Sequence, residues 1–230
     1  MLTKNKKISR KEIKQDSLVT FYYKAVQFIN DQKKYLTIGI GATAVIVVAL
    51  VLYSNNKKKK NELASADLRQ IVTIYNQAAY QDAIDGKEVQ GVKIKGLKKI
   101  VSEAGSTESG ETAKIYLANS LYNLKQYDEA KKSFEDYSGG VDLLKAASLA
   151  GIAACSEAKN EPAKAAEFFQ KAAKVSSANF LNPYYLLNAG INLIEIGKKD
   201  EAKELFMNIK KNYPKSQSAS EVNRYLDQVE

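Results

Sequence analysis

"PYYLLNAGINLIEIGKKDEAKELFMNIKKNYP", residues 183–214, reads as two helices joined by a short polar turn. The first stretch is rich in Leu, Ile and Asn; the second opens with an acid and an alanine, Glu201 and Ala202. Phe206 stands four residues after Ala202, one helical turn on and on the same face. The pattern recurs upstream as "ETAKIYLANSLYNLKQYDEAKKSFEDYS" at 111 and "AASLAGIAACSEAKNEPAKAAEFFQKAAK" at 146. Ala130, Ala165 and Ala202 are spaced by 35 and 37 residues, and Phe134, Phe169 and Phe206 follow each by four. A helix pair repeated at this period predicts an all-α solenoid, because one pair cannot bury its apolar face alone.

The spacing resembles the 34-residue tetratricopeptide repeat. Matched residue by residue, the small first-helix position is Ala118, Ala153 and Gly190, each expected to face its repeat's alanine. The large apolar position before it is Leu117 and Ile152, with Ala189 a weaker match. The closing proline is present only as Pro214, and no leading Trp occurs. The expected solenoid covers 62–215: a degenerate first repeat, then 111–144, 146–179 and 183–215, with a capping helix over 216–230. Within the degenerate repeat, residues 62–84 place Leu68, Ile71, Tyr75 and Ala78 on one helical face, and 97–104 read as a second helix. Between them "DGKEVQGVKIKG" reads as a glycine-bounded loop. Its Gly91 and Gly96 have P-loop spacing, but Leu97 stands where the phosphate-binding lysine belongs.

Ahead of the repeats, "YLTIGIGATAVIVVALVLYSNNKKKK" at 35–60 holds no charge from Tyr35 to Asn56 and then four lysines. Nineteen helical residues from Tyr35 to Tyr53 span about 28 Å, close to the hydrocarbon thickness of a bilayer. Tyr35 and Tyr53 bracket the run where interfacial aromatic rings sit. The run is too long for a signal peptide and no A-x-A site follows it, so an uncleaved transmembrane helix over 35–53 is expected. Residues 1–34 read as a basic tail whose "SLVTFYYKAVQFIN" puts Leu18, Tyr22, Val26 and Ile29 on one face of an amphipathic helix at the membrane surface. A plain helical extension of the span is the other reading. Residues 54–61 read as a basic linker.

Charge leaves the orientation open. Lys24, Lys33 and Lys34 precede the span closely while Lys57 to Lys60 and Arg69 follow it, which favours a cytoplasmic C-terminal side. The whole tail, with nine bases before the span, favours a cytoplasmic N-terminus. The net charge of +9 divides into +10 over residues 1–60 and −1 over 61–230, so the folded part lacks the basic face of a nucleic-acid binder. The absence of histidine excludes Ser–His–Asp and Cys–His catalysis and His-ligated metals. Cys155 is alone and reads as a small buried helix residue. No catalytic residue, cofactor, metal or small-molecule substrate is expected, and the chain reads as a non-enzymatic scaffold for protein–protein interaction.

Stacked helix pairs leave a concave surface lined by the first helices. Carrying the repeat positions over puts Ile115, Asn119, Tyr122, Asn123, Ala150, Ala154, Glu157, Tyr184, Leu187, Ile191 and Ile194 there. This lining lacks the bases with which some such repeats clamp C-terminal carboxylates. Within the span, Gly39 and Gly41 are the small residues at which another membrane helix could approach closely. The lysine run could hold anionic lipid headgroups.

The order of basic tail, "FYYKAVQFINDQKK", one glycine-bearing span and repeats resembles the YfgM-type family, most tellingly in "GLKKIVSEAGSTESGETAKIYLANSLYNLKQYDEA". That resemblance implies a single-pass bacterial inner-membrane protein with a cytoplasmic N-terminus and a periplasmic repeat domain. It further implies an ancillary role at the SecYEG translocon, beside a membrane-anchored prolyl-isomerase chaperone and in contact with unfolded, emerging polypeptide. A membrane-tethered adaptor for another envelope assembly, with its domain in either compartment, is the alternative.

Overall fold

The computed structural model describes residues 10–228. Lys4, Lys6 and Lys7 of the basic tail, and the last two residues of the expected cap, lie outside the described residues. The chain divides into a unit ending at Asn56 and a unit beginning at Lys57.

In the first unit, α1 (Arg10–Asp31) is followed by the start of α2 (Lys33–Asn76). Only Gln32 interrupts them, and its flanking backbone bonds are in place: Gln32 N–H donates to the Phe28 carbonyl and Leu36 N–H to the Gln32 carbonyl, both 2.9 Å. The helix therefore runs on toward the apolar segment with one irregular residue. Leu18, Tyr22 and Ile29 are exposed and Val26 is half-buried. α2 contains a stretch with mean hydropathy 2.4, long and apolar enough to cross a membrane, and none of that stretch is buried in the protein. A core helix of this composition would bury its aliphatic side chains; this one leaves them exposed.

Helix α2 also continues through 54–61, so the expected linker is helical. The stretch from Ser54 to Asn76 contains neither glycine nor proline, and nothing in it breaks the hydrogen-bond ladder.

The second unit starts within this helix. Ile71 and Ile74 are buried, and a turn at Ala78 (φ 58°) leads into α3 (Tyr80–Asp85). The helix expected over 62–84 is thus broken in two. The expected loop that follows is instead a two-stranded antiparallel hairpin, β1 (Gly86–Val89) and β2 (Val92–Lys95), pairing Gly86 with Lys95 and Val89 with Val92. Its two-residue turn has φ of 52° at Gln90 and 79° at Gly91, the double-positive geometry whose twist matches that of paired strands. α4 (Leu97–Ala104) then buries Leu97 and Ile100 beside Ile71.

Three helix pairs follow: α5 (Glu108–Asn123) with α6 (Tyr127–Glu135), α7 (Asp142–Ala158) with α8 (Pro162–Lys174), and α9 (Asn182–Glu195) with α10 (Lys199–Asn212). The first helices begin ahead of the expected repeat boundaries of 111, 146 and 183. For α5 the reason is Thr107, whose side chain accepts from Gly110 N–H as N-cap. The first helix of each pair ends in the same turn. Lys125, Asn160 and Gly197 take φ of 62°, 59° and 77°. The next residue's N–H reaches back into the preceding helix: Gln126 to Leu121, Glu161 to Ser156 and Lys198 to Leu193, at 2.9, 2.9 and 2.8 Å. This satisfies carbonyls at the helix C-terminus that would otherwise lack a donor.

Ala130, Ala165 and Ala202 are fully buried, and each following phenylalanine sits in a different core cluster: Phe134 beneath α2 to α7, Phe169 between α7, α8 and α9, Phe206 among α9, α10 and α11. The core is therefore segmented along the stack, as expected when each repeat contacts its neighbours. One register detail differs from expectation. Gly190 makes room for the Phe206 ring, because a Cβ there would lie 2.3 Å from it. The small residue serves the phenylalanine one turn beyond Ala202. Cys155 is buried in the first cluster, and burial pushes its thiol up to about 11. α11 (Gln217–Leu226), capped by the Ser216 hydroxyl accepting from Ala219 N–H, covers Phe206 and Ile209 with Ala219 and Val222.

Candidate protein-binding surface

α5 packs directly along α7, and side chains of α5, α7 and α9 meet on one side of the stack. That side is the candidate surface. From α5 comes Tyr122, half-buried, its ring tilted against Tyr127 at 5.4 Å between centroids. Burial raises the Tyr122 pKa, followed by the charges of Tyr127, Cys155, Glu157 and Tyr184, so these groups are its electrostatic neighbours. From α7 comes Glu157, with half-buried Ala150 and Ala154 in the preceding turns. From α9 comes Tyr184, 52% exposed, its ring edge-on to the buried Tyr185 at 5.9 Å.

One hydrogen bond crosses between repeats on this side. Asn192, only 2% exposed, donates from Nδ2 to Glu157 Oε1 at 2.6 Å and to the Asn188 carbonyl at 2.8 Å. Desolvation nonetheless raises the Glu157 pKa, against the lowering effect of the Asn192 bond and with a smaller raising effect from Glu195. The residue as a whole counts as exposed, so this is a carboxylate only partly withdrawn from water. Among the described residues no basic side chain pairs with it.

The other expected lining residues divide. Asn119 is half-buried and its carbonyl accepts from the exposed Asn123 at 2.8 Å, so both amides remain on the surface. Ile191 and Ile194 are half-buried against the last core cluster. Ile115 and Leu187 do not line the surface: they are 6% and 4% exposed and belong to the core. Ile115 is buried in the first core cluster and Leu187 in the last, where apolar side chains gain most from burial. Asn188 and Glu195 lie on this side, with the buried Asn192 behind them, although the sequence reading did not select them. The repeat period does not signal Asn192, which stands 35 residues after Glu157 where the turns Asn160 and Gly197 are 37 apart.

Away from this face, Glu111 on α5 is buried and accepts at 2.8 Å from Lys114 Nζ and from the backbone N–H and hydroxyl of Ser138. This network ties the start of α5 to the α6–α7 connection. In the first unit, Gly39 shares a shallow apolar face with Leu36, Ile40, Thr43 and Val47, while Gly41 lies outside it; a Cβ at either glycine would meet nothing within 4 Å.

No curated protein sequence matches the chain. Residues 113–138 and 184–216 match the tetratricopeptide repeat family model, covering most of the first and third helix pairs. The intervening α7–α8 pair repeats their turn geometry and their buried Ala–Phe spacing. An apolar helix near the N-terminus thus precedes an all-α tetratricopeptide solenoid, a non-enzymatic protein-interaction fold.

Proposed function

We propose that the chain is a non-enzymatic scaffold anchored in the bacterial inner membrane by residues 35–53, whose repeat face binds a protein partner. The observation that supports this reading is the Asn192–Glu157 hydrogen bond, which joins the first helices of the second and third repeats on the side that also carries Tyr122 as an electrostatic neighbour of Glu157. The resemblance of the chain's order to YfgM-type proteins points further, to an ancillary place at the SecYEG translocon. There the domain is periplasmic and meets emerging polypeptide or a membrane-anchored prolyl-isomerase chaperone. Gly39 and Gly41 are the points where a neighbouring membrane helix could approach closely, and Lys57 to Lys60 meet lipid headgroups.

One observation favours a second reading, an adaptor for another envelope assembly with its domain in the cytoplasm. Lys57 to Lys60 directly follow the span, as residues on a cytoplasmic flank do. A reporter fused after Glu230, combined with detergent purification and mass spectrometry, separates the two. A reporter active only outside the cytoplasm, with translocon subunits recovered, supports the first. A reporter active only in the cytoplasm refutes it and leaves the second.

A further inference from the structure

The connections between successive repeats lie at one end of the stack. Ala146 near the start of α7 shares a core cluster with Leu181 and Tyr185 near the start of α9. Asn182 Nδ2 donates to the Tyr213 hydroxyl at 3.5 Å, which brings the α10–α11 connection beside the start of α9. The α6–α7, α8–α9 and α10–α11 connections therefore form one edge, and the tight turns at Lys125, Asn160 and Gly197 form the other. Phe180 on the first edge is 75% exposed, more than any other large apolar side chain of the second unit among the described residues. Val141 and Leu143 on the same edge are exposed too. Apolar side chains grouped in this way and rimmed by polar ones suit an interface.

The two edges differ in charge. On the tight-turn edge the bases meet acids: Lys159 pairs with Asp128, Lys164 with Glu161 and Lys198 with Glu201. On the other edge Lys145, Lys174, Lys211 and Lys215 have no ion-pair partner among the described residues. No acid stands between Glu167 and Glu195 or between Glu204 and Glu221, so the α8–α9 and α10–α11 connections are wholly basic. The α6–α7 connection is mixed, with Asp136 and Asp142 near Lys145. Position identifies what covers the edge. Lys57 lines a shallow cavity with Tyr137 and Val141 of the α6–α7 connection. Lys57 stands four residues after Tyr53, where the apolar run ends, and four residues of chain reach at most about 14 Å.

We propose that this edge rests on the anionic lipid surface of the membrane that anchors the chain, with Phe180, Val141 and Leu143 in the headgroup layer and Lys145, Lys174 and Lys215 facing lipid phosphates. Apolar and aromatic side chains flanked by lysines suit a lipid–water interface, where apolar burial and attraction to anionic headgroups add. An acidic protein would also satisfy the charges, but the bilayer is the anionic surface within chain reach of Lys57. The contact rests on the anchor over 35–53 proposed above and is separate from the protein-binding side of α5, α7 and α9.

The test uses the full chain in a Cys155→Ala background, reconstituted in vesicles of three parts phosphatidylcholine to one part phosphatidylglycerol. A nitrobenzoxadiazole label is placed singly through Gly140→Cys or Ala178→Cys on this edge, Lys199→Cys on the tight-turn edge, or Leu50→Cys near the end of the span. Gly140 has open space around it and Ala178 is exposed, so neither label disturbs the core. Phosphatidylcholine bearing a nitroxide near the top of an acyl chain is expected to quench most of the emission from 140, 178 and 50, and none from 199. Adding Leu143→Ser and Phe180→Ser is expected to abolish quenching at 140 and 178 while keeping it at 50. Omitting phosphatidylglycerol is expected to weaken it at 140 and 178 alone. Unquenched labels at 140 and 178 with a quenched label at 50 overturn the lipid contact, leaving the anchor standing and the edge to an acidic protein. Quenching at 199 equal to that at 178, or quenching that survives the double serine variant, overturns the contact as well. Quenching unchanged without phosphatidylglycerol overturns the role of the lysines. An unquenched label at 50 overturns the anchor together with the contact.

Discussion

Asn192 and Glu157 stand in neighbouring repeats and join α9 to α7 through a 2.6 Å hydrogen bond, made by an amide that is buried to a carboxylate that is not fully solvated. Because desolvation leads the effects on Glu157, its folded pKa is above the ordinary 4.5. The folded state then holds its proton to higher pH than the unfolded chain, and stability from this group declines as pH rises above that ordinary value. Glu157→Gln keeps an oxygen for Asn192 and removes the charge. It is expected to raise thermal stability at pH 7, by less than about 1 kcal/mol because water still screens the group, and to make no difference at pH 4. Melting curves at the two pH values check this; a destabilised variant at pH 7 contradicts it.

Glu111 should behave oppositely. Burial alone raises its pKa, but hydrogen bonds from Lys114 and Ser138 and the lysine's charge outweigh it and hold it below 4.5. Its contribution is present above the unfolded value and lost as pH falls through the folded one. Glu111→Ala is expected to cost about 2–4 kcal/mol at pH 7, since it leaves Lys114 with only the Asp136 carbonyl and strands two Ser138 donors. The cost should shrink in acid, as denaturant titrations at pH 7 and pH 3 would show.

The Gly190–Phe206 contact tests the register of the third repeat. A methyl group at 190 meets the ring well inside contact distance, so Gly190→Ala is expected to destabilise by about 1–3 kcal/mol through overpacking. Adding Phe206→Leu should recover part of that loss relative to the sum of the single changes. Strict additivity in a double-mutant cycle would place the two residues apart.

Lys125 holds φ of 62° at the turn where the third repeat has Gly197. A side chain in that region costs roughly 1–2 kcal/mol, offset in glycine by its greater unfolded entropy. Lys125→Gly is therefore expected to stabilise by about 0.5–1 kcal/mol, read from the denaturation midpoint at unchanged m-value.

These turns show where the sequence was informative. The alanine and phenylalanine at each second helix could be read directly, because a core position repeated at 35 and 37 residues leaves few alternatives, and all six are buried. The same extrapolation failed at Ile115 and Leu187. A helix face is about 100° wide, and residues at its margin turn inward or outward according to packing that no periodicity records. The hairpin at 86–95 was concealed by brevity: four residues a side, half of them Lys or Glu, alternate too weakly to separate from a loop. Gln90–Gly91 was the available clue. The helical 54–61 was misread because a run of lysines marks a charge boundary, and a charge boundary is not a break in backbone hydrogen bonding. Asn192 carried no signal on its own, since an asparagine within a helix is ordinary until its partner in the neighbouring repeat is known.

The central claim is that the side built by α5, α7 and α9 receives a protein partner. A photo-crosslinking phenylalanine analogue placed singly at Tyr122, Tyr184 or the exposed Met207 of α10, in the full chain in its native membrane, tests it most directly. The account predicts adducts to one common protein from positions 122 and 184 and none to it from 207. Adducts from 207 with none from 122 and 184 would contradict it.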